Sequence, residues 1–184
     1  MRKKDCEKER RVKEAVTKLI LEEGIEGCSI AKIAREAGVS PATVYIYYEN
    51  KEQMLASIYR ECMAHASEYM TGRMRCDMSG QELIRELVYG YYDYITENAQ
   101  VYSFVEQCSH CPSMNSDFSG LSRVFDVIHK MKETSCIRSY SDQTLAAVMF
   151  YPVKAISMDY PGGGSQAEQS LRELVEILQH SLII

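Results

Sequence analysis

The residues of this chain best suited to covalent or metal chemistry are its thiols and imidazoles. It holds seven cysteines and four histidines, and one short stretch, Cys108-Ser109-His110-Cys111, sets two thiols three residues apart. Thiols at that spacing can share one ion or close one disulfide. A structural zinc site wants four ligands, however, and Cys62, His65, Cys76, His129 and Cys136 supply no second CxxC and no HxxxH. The first reading is therefore ordinary reduced thiols near a loop, with a redox or metal sensor using Cys108 and Cys111 as the alternative. An odd number of cysteines in a chain of 184 residues also argues against a disulfide framework. No nucleophile elbow, phosphate loop, HExxH or paired-carboxylate pattern occurs. No catalytic residue, metal or cofactor is assigned, and an all-α thiol or metal enzyme is the least favoured class.

A second kind of chemistry, the holding of a polyanion, is offered by residues 29–51, SIAKIAREAGVSPATVYIYYENK. Ile30, Ile33, Ala34 and Ala37 form a short helix that Gly38 stops, and Ser40 followed by Pro41 starts another. Two short helices joined at Gly38-Val39-Ser40 make a helix-turn-helix, whose second helix fits a major groove about 12 Å wide. At about 100° per residue, Val44 and Tyr48 fall together and face inward with Val39. Ala42 and Ile46 occupy the opposite face, flanked by Thr43 and Tyr47 on one side and Pro41 and Tyr45 on the other. An outward isoleucine beside three hydroxyls is odd for solvent but suits a groove, where apolar atoms meet thymine methyls and hydroxyls reach phosphates. The helix carries no Arg, Lys, Asn or Gln before Asn50, so shape readout is expected to outweigh bidentate base contacts.

The segment resembles the DNA-binding domain of the tetracycline-repressor (TetR) family. The likeness rests on the order Ile33-Ala34, Ala37-Gly38-Val39-Ser40, Thr43-Val44-Tyr45, Tyr47-Tyr48 and Lys51, after a helix of the right length. It covers about the first 55 residues; beyond them only helix number and total length match. The resemblance implies that Thr43, Tyr45, Tyr47 and Lys51 touch the DNA backbone and that Pro41 and Ala42 approach bases. Ser29, Ser40 and Ile46 complete the set assigned to DNA. Ala42 stands where the family usually has glycine, and Tyr48 where it usually has phenylalanine. The implied protein is a cytoplasmic repressor that binds a palindromic operator in double-stranded DNA as a homodimer and is released by a small molecule.

The helices that must carry this site are legible from apolar spacing, and the expected fold is all-α with about nine helices and no strand. Val12, Ala15, Val16, Leu19 and Ile20 stripe a first helix that ends near Gly24. A fourth helix runs from Lys51 to about Thr71, a fifth from Ser79 to Asn98, and a short sixth from Ala99 to Cys108. Leu121–Thr134 and Asp142–Met158 follow, the latter interrupted or kinked at Pro152. After Pro161-Gly162-Gly163-Gly164, a last helix carries Leu171, Leu174, Val175, Leu178 and Leu182 at heptad-like spacing. The expected organisation is a three-helix DNA-binding domain over residues 1–50 and a bundle for effector binding and dimerisation over 51–184. The dimer is placed on the last two helices, since the leucines would otherwise expose a long apolar stripe.

Charge and aromatic content direct the expectation for the effector. Residues 1–60 hold 12 Lys/Arg against 10 Asp/Glu, which leaves 9 against 16, a net −7, for residues 61–184. A buried anion would find few cations there, whereas an apolar or cationic ligand could use aromatic faces and methionine. The assigned lining is Met63, Tyr91, Tyr94, Tyr102, Phe104, Phe125 and Met149. The chain shows no secretory signal and no apolar run of the roughly 20 residues that a membrane span needs, so no membrane partner is expected.

Overall fold

The computed structural model describes residues 2–111, 114 and 119–184, with side chains from Cys6 onward. Among the described residues it holds nine α-helices and no strand; the backbone pairs only at an isolated bridge of Ile137 with Ile183. The helices are α1 (Arg2–Gly27), α2 (Ile30–Ala37), α3 (Pro41–Tyr47), α4 (Lys51–Thr71), α5 (Gly80–Glu97), α6 (Ala99–Ser109), α7 (Ser122–Glu133), α8 (Asp142–Asp159) and α9 (Ser165–Leu182). No helix among them is long and apolar enough to cross a membrane.

The boundaries follow from caps that the sequence supplies. Gly24 leaves the helical region at φ 74°, ψ 173°, so the regular part of α1 stops there, as expected, and a short turn carries the chain to Gly27. Asn50 caps α4, its Oδ1 accepting from the Gln53 N–H at 2.8 Å while Gln53 Oε1 accepts from the Glu49 N–H at 3.1 Å. Ser79 and Glu82 form a full capping box on α5, each side chain bonded to the other's backbone N–H. Ser141 caps α8, and of the interruption or kink expected at Pro152 the helix shows no interruption, running from Asp142 to Asp159.

The chain forms two compact units, residues 1–63 with 100–120, and residues 64–99 with 121–184. The first is built on Val12, Val16, Leu19 and Ile20 of α1, Ile33 and Ala34 of α2, Val44 and Tyr48 of α3, Met54 and Ile58 of α4, and Phe104 and Cys108 of α6. In the second, α5, α8 and α9 pack on one another. Gly90 lets α5 approach Met70 closely: a Cβ there would lie 3.2 Å from the Met70 Cα and 3.3 Å from its carbonyl oxygen.

One expectation is corrected here. Leu171, Leu174, Val175, Leu178 and Leu182 are buried within the single chain, because their stripe faces α5 and α8. They are core and leave no exposed leucine seam for a partner. The apolar residues that α8 and α9 do expose are Val148, Tyr151, Ala155, Met158 and Ile177.

Candidate nucleic-acid interface

The helix-turn-helix owes its geometry to three local devices. Ser29 caps α2, its Oγ accepting from the Lys32 N–H at 3.3 Å. At the other end Gly38 takes the left-handed conformation (φ 63°, ψ 39°), with Gly38 N–H bonded to Arg35 O at 3.2 Å and Val39 N–H to Ala34 O at 2.9 Å. That pair of hydrogen bonds is a Schellman ending, and any residue with a Cβ would be strained at Gly38. Ser40 then caps α3: its Oγ accepts from the Thr43 N–H at 3.2 Å and lies 2.9 Å from the Thr43 hydroxyl, with Pro41 as first helical residue. The two caps and the glycine fix the angle at which α3 leaves α2.

Burial then sorts the faces of α3. Val44 is fully buried and Tyr48 nearly so, both in the core that holds Ile33 and Ala34. On the opposite face Ile46 is 77% exposed and Tyr45 55% exposed, beside exposed Pro41 and Ala42. Thr43 and Tyr47 are half-buried along the edge. Burying Val44 and Tyr48 contributes roughly 1.5–3 kcal/mol each, which leaves no comparable force to pull Ile46 inward. The result is an apolar ridge bordered by hydroxyls, on a helix whose N-terminus is exposed.

Ion pairs that the sequence did not disclose brace this unit. Lys18 of α1 pairs with Glu36 of α2 at 2.5 Å, and Lys13 of α1 meets Glu61 of α4 at 2.8 Å. Lys32 bonds Glu23 and, at 2.9 Å, the Gly27 carbonyl. Partial burial works against the charge on Lys13, and the hydrogen bonds it donates to Glu61 and Glu9 outweigh that, holding the ammonium above the ordinary lysine value. Lys51, assigned to the DNA backbone, is half-buried and donates to the Ile25 carbonyl at the end of α1. Burial pushes the Tyr48 phenol up to about 12, and among the described residues its hydroxyl has no hydrogen-bond partner.

The residues assigned to an effector fall in both units. Phe104 is buried in the first, with Met63 and Tyr102 half-buried. In the second, Tyr94 and Met149 are buried and Tyr91 and Phe125 half-buried. Tyr94 meets His65 at a tilt and Tyr69 edge-on, each with ring centroids at 5.7 Å, and Tyr91 meets Phe150 edge-on at 5.2 Å. As for a metal, no group of three or more His, Cys, Asp or Glu among the described residues is placed to hold one.

Residues 14–58 match the family model of bacterial regulatory proteins, tetR family. The fatty acid metabolism regulator protein of Bacillus subtilis (strain 168) is 39% identical over 57 residues, which are 31% of this chain and 29% of that protein. This chain thus matches well under two thirds of that relative's length. A TetR family transcription regulator from Marinobacter aquaeolei VT8 has the same fold at a TM-score of 0.76 and 22% identity, covering 96% of this chain and 97% of the other. The transcriptional regulator FadR from Bacillus subtilis, solved with stearoyl-CoA, aligns at 0.69 and 18% identity, covering 90% and 97%. The match falls on the helices that form the capped turn and the exposed α3 ridge, and the fold agrees over nearly the whole chain: residues 14–58 are similar to the tetR family of bacterial regulatory proteins, and the chain shares its fold with a TetR family transcription regulator.

Proposed function

We propose that this protein is a cytoplasmic transcriptional repressor that binds a palindromic operator in double-stranded DNA as a homodimer and is released by a small effector. The observation that carries the DNA-binding part is the outward face of α3: Ile46 and Ala42 stand exposed over a fully buried Val44, beside the hydroxyls of Tyr45, Thr43 and Tyr47. Such a ridge reads methyl groups and groove shape, while the hydroxyls, the Ser29 and Ser40 caps and Lys51 hold phosphates. The dimer forms through the exposed apolar residues of α8 and α9, which gives two recognition helices related by a two-fold axis and hence two half-sites about 34 Å apart.

The effector is an apolar or cationic molecule, in keeping with the net −7 of residues 61–184. Met63, Tyr91, Tyr94, Tyr102, Phe104, Phe125 and Met149 remain the residues proposed to meet it, and the stearoyl chain held by the Bacillus subtilis FadR makes long acyl chains the first apolar probe. The deciding experiment is a mobility shift of genomic fragments at low salt, repeated as salt is raised. Binding that weakens linearly in log affinity against log salt is expected. Absence of any DNA affinity at low salt, with or without candidate effectors, would overturn the proposal.

A further inference from the structure

The end of α6 and the turn that follows it carry two thiols for which DNA reading has no use. Cys108 is fully buried in the core of the first unit, the same core that seats Val44 and Tyr48 of α3. Cys111 lies half-buried against that core, and its N–H donates to the Cys108 carbonyl at 2.9 Å. A turn closed by such a bond keeps its terminal Cα atoms within about 7 Å, and disulfides span Cα separations of about 4.4–6.8 Å. The backbone therefore already holds the two residues at bridging distance. Cys28 is buried in the same core and Cys62 packs against it.

We propose that Cys108 and Cys111 are a redox-responsive dithiol, converted by hydroperoxides to an intramolecular disulfide that disturbs the core beneath the helix-turn-helix. The order of events follows from exposure. Burial, with smaller contributions from Cys111, Cys62 and Cys28, pushes the Cys108 thiol up to about 12, so Cys108 is not the thiol that meets the peroxide first. Cys111 is the more accessible of the pair. The Cys111 thiol gives up its proton, the thiolate attacks the peroxide and the O–O bond breaks; the leaving oxygen takes up that proton and departs as alcohol or water, and a sulfenic acid remains on Cys111. The Cys108 sulfur then attacks the Cys111 sulfur, the S–O bond breaks, and water departs carrying the Cys108 proton. Two electrons pass from the thiols to the peroxide.

The consequence for DNA is mechanical. Bridging draws the Cys108 sulfur out of a close-packed site shared with the buried face of α3, and interiors respond to the loss of even one methylene-sized group. The disulfide itself is independent of DNA binding, whereas its regulatory effect rests on the function proposed above. The two failures are therefore separable.

The test uses the full reduced chain treated with stoichiometric hydrogen peroxide. Mass spectrometry should show the loss of two hydrogens and a peptide linking Cys108 to Cys111, both reversed by dithiothreitol. Operator affinity should fall about tenfold on oxidation and recover on reduction. Cys111→Ser, at a half-buried position, should fold, bind DNA when reduced and lose the response. Cys108→Ser is the harsher variant because its site is fully buried. Free thiols at both positions after peroxide, a bridge from Cys111 to Cys62 instead, or a Cys108–Cys111 bridge that leaves DNA affinity unchanged would each overturn the proposal.

Discussion

The ammonium of Lys51 donates to the carbonyl of Ile25, tying the first turn of α4 to the turn that follows Gly24 in α1. One side chain thus serves a helix end that Gly24 has broken and stands at the position implied to meet the DNA backbone. An ammonium has three donors, so the carbonyl leaves two for a phosphate.

Lys51→Ala is therefore expected to act twice. Loss of the bond to Ile25 should lower the stability of the fold by about 0.5–1.5 kcal/mol. DNA affinity should fall by a similar factor for every sequence, and the slope of log affinity against log salt should flatten by about one. Urea unfolding and salt-dependent mobility shifts read the two effects separately. An unchanged salt slope would remove Lys51 from the backbone contacts while leaving its structural role intact.

Tyr48 gives a prediction of opposite sign. Its hydroxyl is buried without a hydrogen-bond partner among the described residues, and an unsatisfied buried polar group costs about 1–3 kcal/mol. Tyr48→Phe should leave the ring packed and keep stability at least equal to the parent, up to about 1 kcal/mol higher. The pH dependence has a definite direction. Tyr48 titrates near 12 in the folded chain against 10.0 for an ordinary phenol, so the unfolded chain loses its proton first. Stability is fully present below about pH 10 and falls as pH rises through the window from 10 to 12. The parent should lose more stability across that window than Tyr48→Phe, measured by denaturant midpoint at successive pH values.

Gly90 tests the crossing of α4 and α5. An added methyl would meet the Met70 backbone at 3.2 and 3.3 Å, and a backbone cannot yield as a flexible side chain does. Gly90→Ala gains helix propensity, which is worth about 1 kcal/mol. The overlap should outweigh it, for a net destabilisation of about 1–3 kcal/mol in thermal unfolding. A variant more stable than the parent would show that the crossing can relax.

Much of the helix-turn-helix was legible before any coordinates, because its determinants are local. Gly38 stops a helix, Ser40-Pro41 starts one, and the wheel position of Val44 follows from 3.6 residues per turn; each needs only neighbours in sequence. Lys51 to Ile25 and Lys13 to Glu61 were not legible, since they join residues 26 and 48 apart and the sequence offers many equivalent charges. The leucines of α9 show a third case. Their period announces a buried stripe but does not say against what, and the same spacing serves a packing seam inside the chain or between chains. The aromatic residues of α5 and α6 share that ambiguity: Tyr94 is fully seated among rings, yet nothing in its spacing separated core from cavity.

That ambiguity sets up the test of the dimer. Val148, Tyr151, Ala155 and Met158 fall on one face of α8 by their spacing of three and four, and they are exposed in the single chain. Tyr151 is 68% exposed, and Ile177 on α9 is 61% exposed. Leu174, only three residues before Ile177, is buried in the core of the second unit. The two α9 positions therefore separate folding from association. A charge at Tyr151 or Ile177 stays in water when the chain is alone, so Tyr151→Glu with Ile177→Glu should shift single-chain stability by no more than about 0.5 kcal/mol. The same pair of carboxylates at a two-fold interface would be duplicated by symmetry and stripped of water, which costs several kcal/mol. The double variant should thus keep the parent's helical circular dichroism, run as a monomer in light scattering at micromolar concentration, and lose cooperative binding to a palindromic site. Leu174→Glu, by contrast, should reduce helicity and thermal stability together, because it buries an unpaired charge inside one chain. A double variant that remains a dimer would remove α8 and α9 from the interface without touching the assignment of α3 to DNA.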